Sequence, residues 1–131
     1  MLVYKRDAKI TAKQLGEVFA RSGINRPVND EERLQKMLDA ASLCITAWDG
    51  NRVVGVARSL TDFAYCCYLS DLAVDVDYQK DGVGRQLLEQ TRESIGAECS
   101  LILLSAPEAM GYYPKVGFEK AENAFVMKRE R

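Results

Sequence analysis
The period of the apolar positions changes several times along the chain, and each change marks an element. Leu2–Arg6 (LVYKR) predicts a short first strand. From Thr11 to Arg21 the apolar residues Leu15, Val18 and Phe19 fall at helical spacing, with Ile24 just beyond. Asn25, Arg26 and Pro27 interrupt that pattern. Asp30 is placed to cap a second helix, with Arg33 at its third position and Leu34, Met37 and Leu38 on one side. Leu43–Trp48 is apolar and strand-like, Asp49-Gly50 is a hairpin signal, and Arg52–Leu60 returns as a strand. Ala64–Val76 predicts a long third strand of this meander. Gly84–Ile95 is helical, with Leu87, Leu88, Thr91 and Ile95 on one face. Leu101–Leu104 is wholly apolar and predicts a strand buried on both faces. Pro107–Lys115 predicts a short helix, with Pro107 suited to its first turn and Gly117 to its end. Phe118–Lys120 and Ala124–Lys128 predict a final hairpin.

The resulting order is β-α-α-β-β-β-α-β-α-β-β. Only the strand–helix–strand crossover from Leu69 to Leu104 requires parallel neighbours. The expected fold is therefore mixed α/β: a mixed, mostly antiparallel sheet with helices on its faces, in one domain spanning residues 1–131.

Composition narrows the chemistry. Lys plus Arg number 18 and Asp plus Glu 19, a net charge of −1, so no basic footprint for nucleic acid is expected. The opening MLVYKRDAKI carries no apolar signal region, and no run approaches the roughly 18 apolar residues of a membrane span. There is no histidine, which excludes Ser-His-Asp and Cys-His nucleophile systems. Cys44, Cys66, Cys67 and Cys99 form no C-x-x-C pair, so no metal site is expected. Cys44, Cys66 and Cys67 lie in apolar runs and are expected to be buried reduced thiols of a cytoplasmic protein.

The stretch YQKDGVGRQLLEQ sets Gly82 and Gly84 at the opening of the third helix. Each glycine weakens a helix by roughly 1 kcal/mol relative to alanine, so the pair needs a reason. The amides of Gln79, Lys80, Asp81, Gly82, Val83, Gly84 and Arg85 are expected to face outward at a helix start. Free N–H groups and the helix dipole there both favour an anion. Glycine at two of these positions lets a phosphate approach the backbone. No Gly-Lys-Ser/Thr follows, as a Walker loop would need, and Leu87 stands where a Rossmann fingerprint has its third glycine.

Gln79-x-x-Gly82-x-Gly84, between a strand and a helix, resembles the acetyl-coenzyme A motif of the GNAT superfamily of N-acetyltransferases, Gln/Arg-x-x-Gly-x-Gly/Ala. Leu72–Val74 (LAV) looks like that family's fourth strand, and Tyr112–Phe118 (YYPKVGF) resembles its FYEKLGF signature. The element order matches as well, so the resemblance covers nearly the whole chain.

The resemblance implies a splayed pair of parallel strands with the pantetheine arm of acetyl-CoA between them. That arm would pair with the backbone of Leu72, Ala73 and Val74, and the pyrophosphate would rest on the amides of Gln79–Arg85. Tyr113 would protonate the departing thiolate, with Tyr112 in packing or coenzyme contact. An N–H near Val74 would donate to the oxyanion formed when an amine attacks the thioester. Asp71 is a candidate base or ammonium holder; its other reading is a strand-end charge paired with an arginine. Asn25 and Arg26 lie in a loop that contacts acceptors in family members, or form an ordinary turn. The chain departs from the pattern at Ser105, where members often carry asparagine, and at Pro114, which replaces glutamate and is expected to kink the helix.

The implied function is acetyl-CoA-dependent N-acetylation of a small-molecule amine, without a metal. Acetylation of a protein lysine or N-terminus, and a non-catalytic acetyl-CoA sensor, stay open. A homodimer through C-terminal strands or sheet edges is expected.

Overall fold
The computed structural model describes all residues from Met1 to Arg131. Its sheet comprises β1 (Val3–Arg6), β2 (Leu43–Asp49), β3 (Arg52–Thr61), β4 (Cys66–Val74) and β5 (Ser100–Leu103), in that spatial order. The first three pairings are antiparallel and β4–β5 is parallel, as the crossover requires. Helices α1 (Ala12–Ser22) and α2 (Glu31–Ala40) lie between β1 and β2 in sequence; α3 (Val83–Ile95) joins β4 to β5.

Local chemistry accounts for the element ends. Thr11 and Gln14 form a reciprocal capping box at the start of α1, with bonds of 3.0 and 2.9 Å. Asp30 accepts the Arg33 N–H at 3.0 Å and starts α2. The β2–β3 turn is displaced by one residue from the Asp49-Gly50 expectation. Asp49 pairs with Arg52, so Gly50, at φ 62°, and Asn51 form the loop.

The sheet has a core on each face. On one, Leu15, Val18 and Phe19 of α1 and Leu34 of α2 pack on Trp48 and Val56. On the other, Val83, Leu87, Leu88 and Ile95 of α3 pack on Ala47 and Ala57. A Cβ at Gly55 would stand 3.2 Å from both Leu87 Cδ1 and Val83 Cγ1. The bare backbone of β3 thus lets the first turns of α3 lie close against the sheet and fixes where that helix begins.

Strand β4 contains the feature that shapes the site. Arg58 pairs with Asp71 and Ser59 with Leu69, so Ser70 is an extra residue, a β-bulge. Before the bulge Cys67 and Leu69 face α3; after it Asp71 and Ala73 face the side of α1 and α2. The parallel pairing with β5 stops at Leu69–Leu103, immediately before the bulge. Beyond that point β4 and β5 diverge, and Ser70–Val74 has no neighbour on its outer edge.

Several expectations fail in the C-terminal half and around β4. β4 begins at Cys66 rather than Ala64, because the Asp62 carboxylate accepts the amides of Ala64, Tyr65 and Cys66 and holds them in a turn. Cys66 is exposed, since strand alternation turns Cys67 inward instead. β5 is an edge strand: Leu101 and Leu103 pack toward α3, while Ile102 and Leu104 are 51% and 54% exposed. The single helix over Pro107–Lys115 is two 3-10 turns, Pro107–Ala109 and Tyr113–Val116, with Pro114 in the opening of the second. The turn before Gly117 ends as expected, at φ 100°. The final hairpin is absent. A two-stranded hairpin is marginal without a sheet to join. Phe118 packs edge-on against Tyr113 instead, with ring centroids 5.5 Å apart.

Candidate active site
The loop after β4 presents a set of free backbone amides at the start of α3. The N–H groups of Gln79, Lys80, Gly82, Val83, Gly84 and Arg85 have no acceptor within the chain; Asp81 differs, donating to the Tyr78 carbonyl at 3.2 Å. Gly82 adopts φ 75° as it enters α3, a conformation that disfavours any side chain. A Cβ there would meet nothing within 4 Å, so the space over these amides is open. A Cβ at Gly84 would lie 3.5 Å from the Tyr112 hydroxyl and 3.8 Å from Val74 Cγ2. Gly84 therefore stands where α3, β4 and the tyrosine turn converge. The Lys80 and Arg85 side chains are exposed; Arg85 reaches Glu89 at 3.4 Å.

The free edge of β4 continues this surface. Asp75 donates its N–H to the Val54 carbonyl at 2.8 Å, so its backbone points toward β3. Strand alternation then turns the N–H groups of Val74 and Leu72 away from β3, into the gap beside β5. Ala73, between them, is directed to β3 and buried. Leu72 and Val74 thus present unpaired N–H groups to the cleft.

A set of long-range contacts fastens the loop. Asp75 is 2% exposed and accepts Arg21 Nε and Nη2 at 3.2 and 3.1 Å, Arg52 Nη2 at 2.6 Å and the Asp77 amide at 2.9 Å. Burial alone would raise its pKa. The bonds from Arg21, the Asp77 amide and Arg52 outweigh that and lower it to about 2. The Tyr78 hydroxyl donates to Asp49 in the β2–β3 turn. Gln79 Nε2 donates to the Val74 and Ser22 carbonyls at 3.0 and 3.2 Å. The end of α1, the β2–β3 turn and the loop that opens α3 are thereby one unit. Sequence reasoning missed Asp75, Arg21 and Arg52, because no local spacing links positions so far apart.

The two tyrosines stand differently. Tyr112 places its hydroxyl over Gly84, at the mouth of the amide loop. Burial raises its pKa and Arg85 opposes the shift. Tyr113 is half-buried between Tyr112, at 5.3 Å, and Phe118. Its hydroxyl makes no hydrogen bond within the chain and is not sealed from solvent. Burial, with a smaller contribution from Tyr112, pushes its pKa up, so the phenol holds its proton. Ser105 turns its hydroxyl to the Ala106 carbonyl at 2.7 Å.

Asp71 is fully buried and both its oxygens are taken. Arg26 Nε reaches Oδ1 at 2.6 Å and Arg58 Nε bonds to Oδ2. Arg26 Nη2 also reaches the Ser70 carbonyl at 2.8 Å, and Arg58 Nη2 the Ser70 hydroxyl at 3.0 Å. Of the two readings of Asp71, this geometry is the arginine-paired one: each oxygen holds a guanidinium and the side chain has no exposed surface. Removing a buried carboxylate of this kind costs on the order of 3–5 kcal/mol, because it strands its partners.

Comparison with known proteins places this geometry. Residues 8–129 match the family model described as acetyltransferase (GNAT) domain. The chain is 29% identical over 109 residues to GCN5-related N-acetyltransferase 1, chloroplastic, of Arabidopsis thaliana, covering 80% of this chain and 54% of that protein. It spans about half the length of the curated relatives it matches. Its fold superposes with a TM-score of 0.85, at 22% identity and full coverage of both chains, on a probable acetyltransferase from meticillin-resistant Staphylococcus aureus. It also superposes with a TM-score of 0.73, at 14% identity, on an aminoglycoside N-acetyltransferase in complex with CoA, covering 100% of this chain and 96% of that one. The chain belongs to the GNAT family of acetyltransferases.

Proposed function
We propose that this protein transfers an acetyl group directly from acetyl-CoA to the amine of a small molecule. The observation that carries the reading is the set of unpaired backbone donors along one surface, at Leu72 and Val74 and then at Gln79, Lys80 and Gly82–Arg85. The amide loop suits a pyrophosphate, and the open space over Gly82 leaves room for it. The β4 edge suits the amides of the pantetheine arm, which add to it as a strand would.

In this mechanism the Val74 N–H donates to the developing oxyanion as a neutral amine attacks the thioester carbonyl. Tyr113, kept protonated by burial, gives its proton to the departing sulfur, and the proton lost by the newly acylated nitrogen restores the phenol through solvent. Tyr112 contacts the coenzyme at the α3 start. With Asp71 engaged by two arginines, solvent takes the proton of the acceptor ammonium. Leu60 lies opposite Tyr68, and Tyr68 opposite Ile102, and these residues are 39%, 39% and 51% exposed. This bare row beside the cleft is a few side chains wide, which supports a small acceptor over a polypeptide.

Release of free thiol from acetyl-CoA, measured across a panel of small amines and lysine peptides, tests the reading. Turnover confined to lysine peptides would transfer the function to protein acetylation. Tight coenzyme binding with no turnover on any amine would favour the sensor.

We further place the protein in the cytoplasm as a homodimer. Its four cysteines are unpaired, no helix is long and apolar enough to cross a membrane, and the outer edge of β5 lacks a partner strand. A monomer mass by light scattering over a wide concentration range would refute the dimer. Fractionation tests the compartment, and recovery in a membrane or organelle fraction would refute it.

A further inference from the structure
We infer that Arg26 is a positioning residue that holds the cleft open by fixing the Ser70 bulge. The inference rests on the proposed binding of acetyl-CoA along β4. As the extra residue of the strand, Ser70 has no ladder partner of its own. Its carbonyl is satisfied by Arg26 Nη2 at 2.8 Å and its hydroxyl by Arg58 Nη2 at 3.0 Å. Both arginines are set by the single carboxylate of Asp71, one on each oxygen. The third nitrogen of each bonds elsewhere: Arg26 Nη1 donates to the carbonyl of its neighbour Asn25 at 2.7 Å, and Arg58 Nη1 to the Met37 carbonyl in the last turn of α2 at 3.2 Å.

The consequence falls on Leu72 and Val74. A bulged carbonyl without a donor is unsatisfied, and the strand regains a partner by swinging back toward β5. That movement narrows the gap immediately beyond Leu69–Leu103, where β4 and β5 part. The phosphate loop has separate fastenings, through Asp75, Tyr78 and Gln79, so it does not depend on Arg26. Loss of Arg26 should therefore weaken the grip on the pantetheine arm and spare the grip on the phosphates. Arg26 can be changed without orphaning Asp71, because Arg58, with 6% side-chain exposure, remains on the other oxygen.

The test compares two ligands on Arg26→Gln. One is acetyl-CoA; the other is its phosphoadenosine diphosphate fragment, which lacks the pantetheine arm. Calorimetry should show acetyl-CoA weakened by about tenfold, the loss expected for charge-assisted hydrogen bonds acting at one remove. The fragment should stay within about twofold of wild type on the same scale. Arg26→Lys keeps the charge beside Asp71 but lacks the planar fork that serves Asp71 and Ser70 together, so it should lie between. If Arg26→Gln does not fold, the Arg26→Lys comparison decides alone. Equal losses for both ligands would reduce Arg26 to a general structural role and overturn the inference; so would unchanged acetyl-CoA affinity. Wild-type protein that binds neither ligand would overturn the functional reading itself, a result distinct from both.

Discussion

Gln79 reaches back to Val74, donating from Nε2 to its carbonyl at 3.0 Å while also holding the Ser22 carbonyl at 3.2 Å. In the motif Gln79 is assigned through its backbone amide. In the structure its side chain ties the strand end to the loop and to the end of α1, while the Val74 N–H faces the gap beside β5. Gln79→Glu replaces the donor by an acceptor facing two carbonyls. It should weaken coenzyme A binding by about tenfold, as lost hydrogen bonds of about 1 kcal/mol each predict. Unchanged affinity by calorimetry would show that the loop holds its shape without this tie.

The two loop glycines are not equivalent as probes. Gly82→Val forces a β-branched residue to φ 75° and should lower stability as well as binding. Gly84 has an ordinary backbone, and a Cβ there meets neighbours at 3.5 Å or more. Gly84→Val should therefore remain folded and lose coenzyme A affinity by a factor of about ten or more. Wild-type affinity in both variants would move the phosphate site elsewhere.

Tyr113→Phe keeps the packing on Phe118 and removes only the hydroxyl. A general acid typically contributes roughly 10²- to 10⁴-fold, and a thiolate is a tolerable leaving group, so kcat should fall toward the lower end of that range. Acetyl-CoA affinity should hardly change. Tyr112→Phe, beside Gly84, should instead raise KM for acetyl-CoA with a smaller effect on kcat. A kcat loss confined to Tyr112→Phe would exchange the two roles.

Asp75 makes the fold acid-sensitive in a defined window. Its pKa is 3.8 as a free side chain and about 2 in the folded protein. A lowered folded value contributes stability that is complete above about pH 4 and lost as pH falls through 2, on the order of 2 kcal/mol in all. Asp75→Asn should lower Tm at neutral pH and flatten its decline between pH 4 and pH 2. Parallel Tm profiles for the two proteins would show that Asp75 does not carry this dependence.

The parts legible in the sequence were those written in local spacing. Asp30 with Arg33, and Gly117, set helix and turn ends through contacts three or four residues long. The amide loop was legible for the same reason, since Gly82 and Gly84 adjoin the helix they open. The Ser70 bulge was not, because it exists only as a mismatch between β3 and β4. Asp71 kept two readings in the sequence until its partners, at positions 26 and 58, were in place. The final hairpin failed for the opposite reason: the apolar run Ala124–Met127 suited a strand, but it does not join the outer edge of β5.

The bulge also gives β4 a parity. Odd-numbered residues before Ser70, Cys67 and Leu69, face α3, whereas the odd-numbered residues after it, Asp71 and Ala73, face the other way. Deleting Ser70 would keep that facing, because Ser59–Leu69 and Arg58–Asp71 would become successive rungs of a regular ladder; keeping Ser70 but flattening it into the ladder would exchange inside and outside for everything downstream. Asp71 would be driven into the apolar layer under α3, and its two guanidinium partners would be left on the opposite side of the sheet. The charged cluster and the opening between the strands therefore hang on the same extra residue.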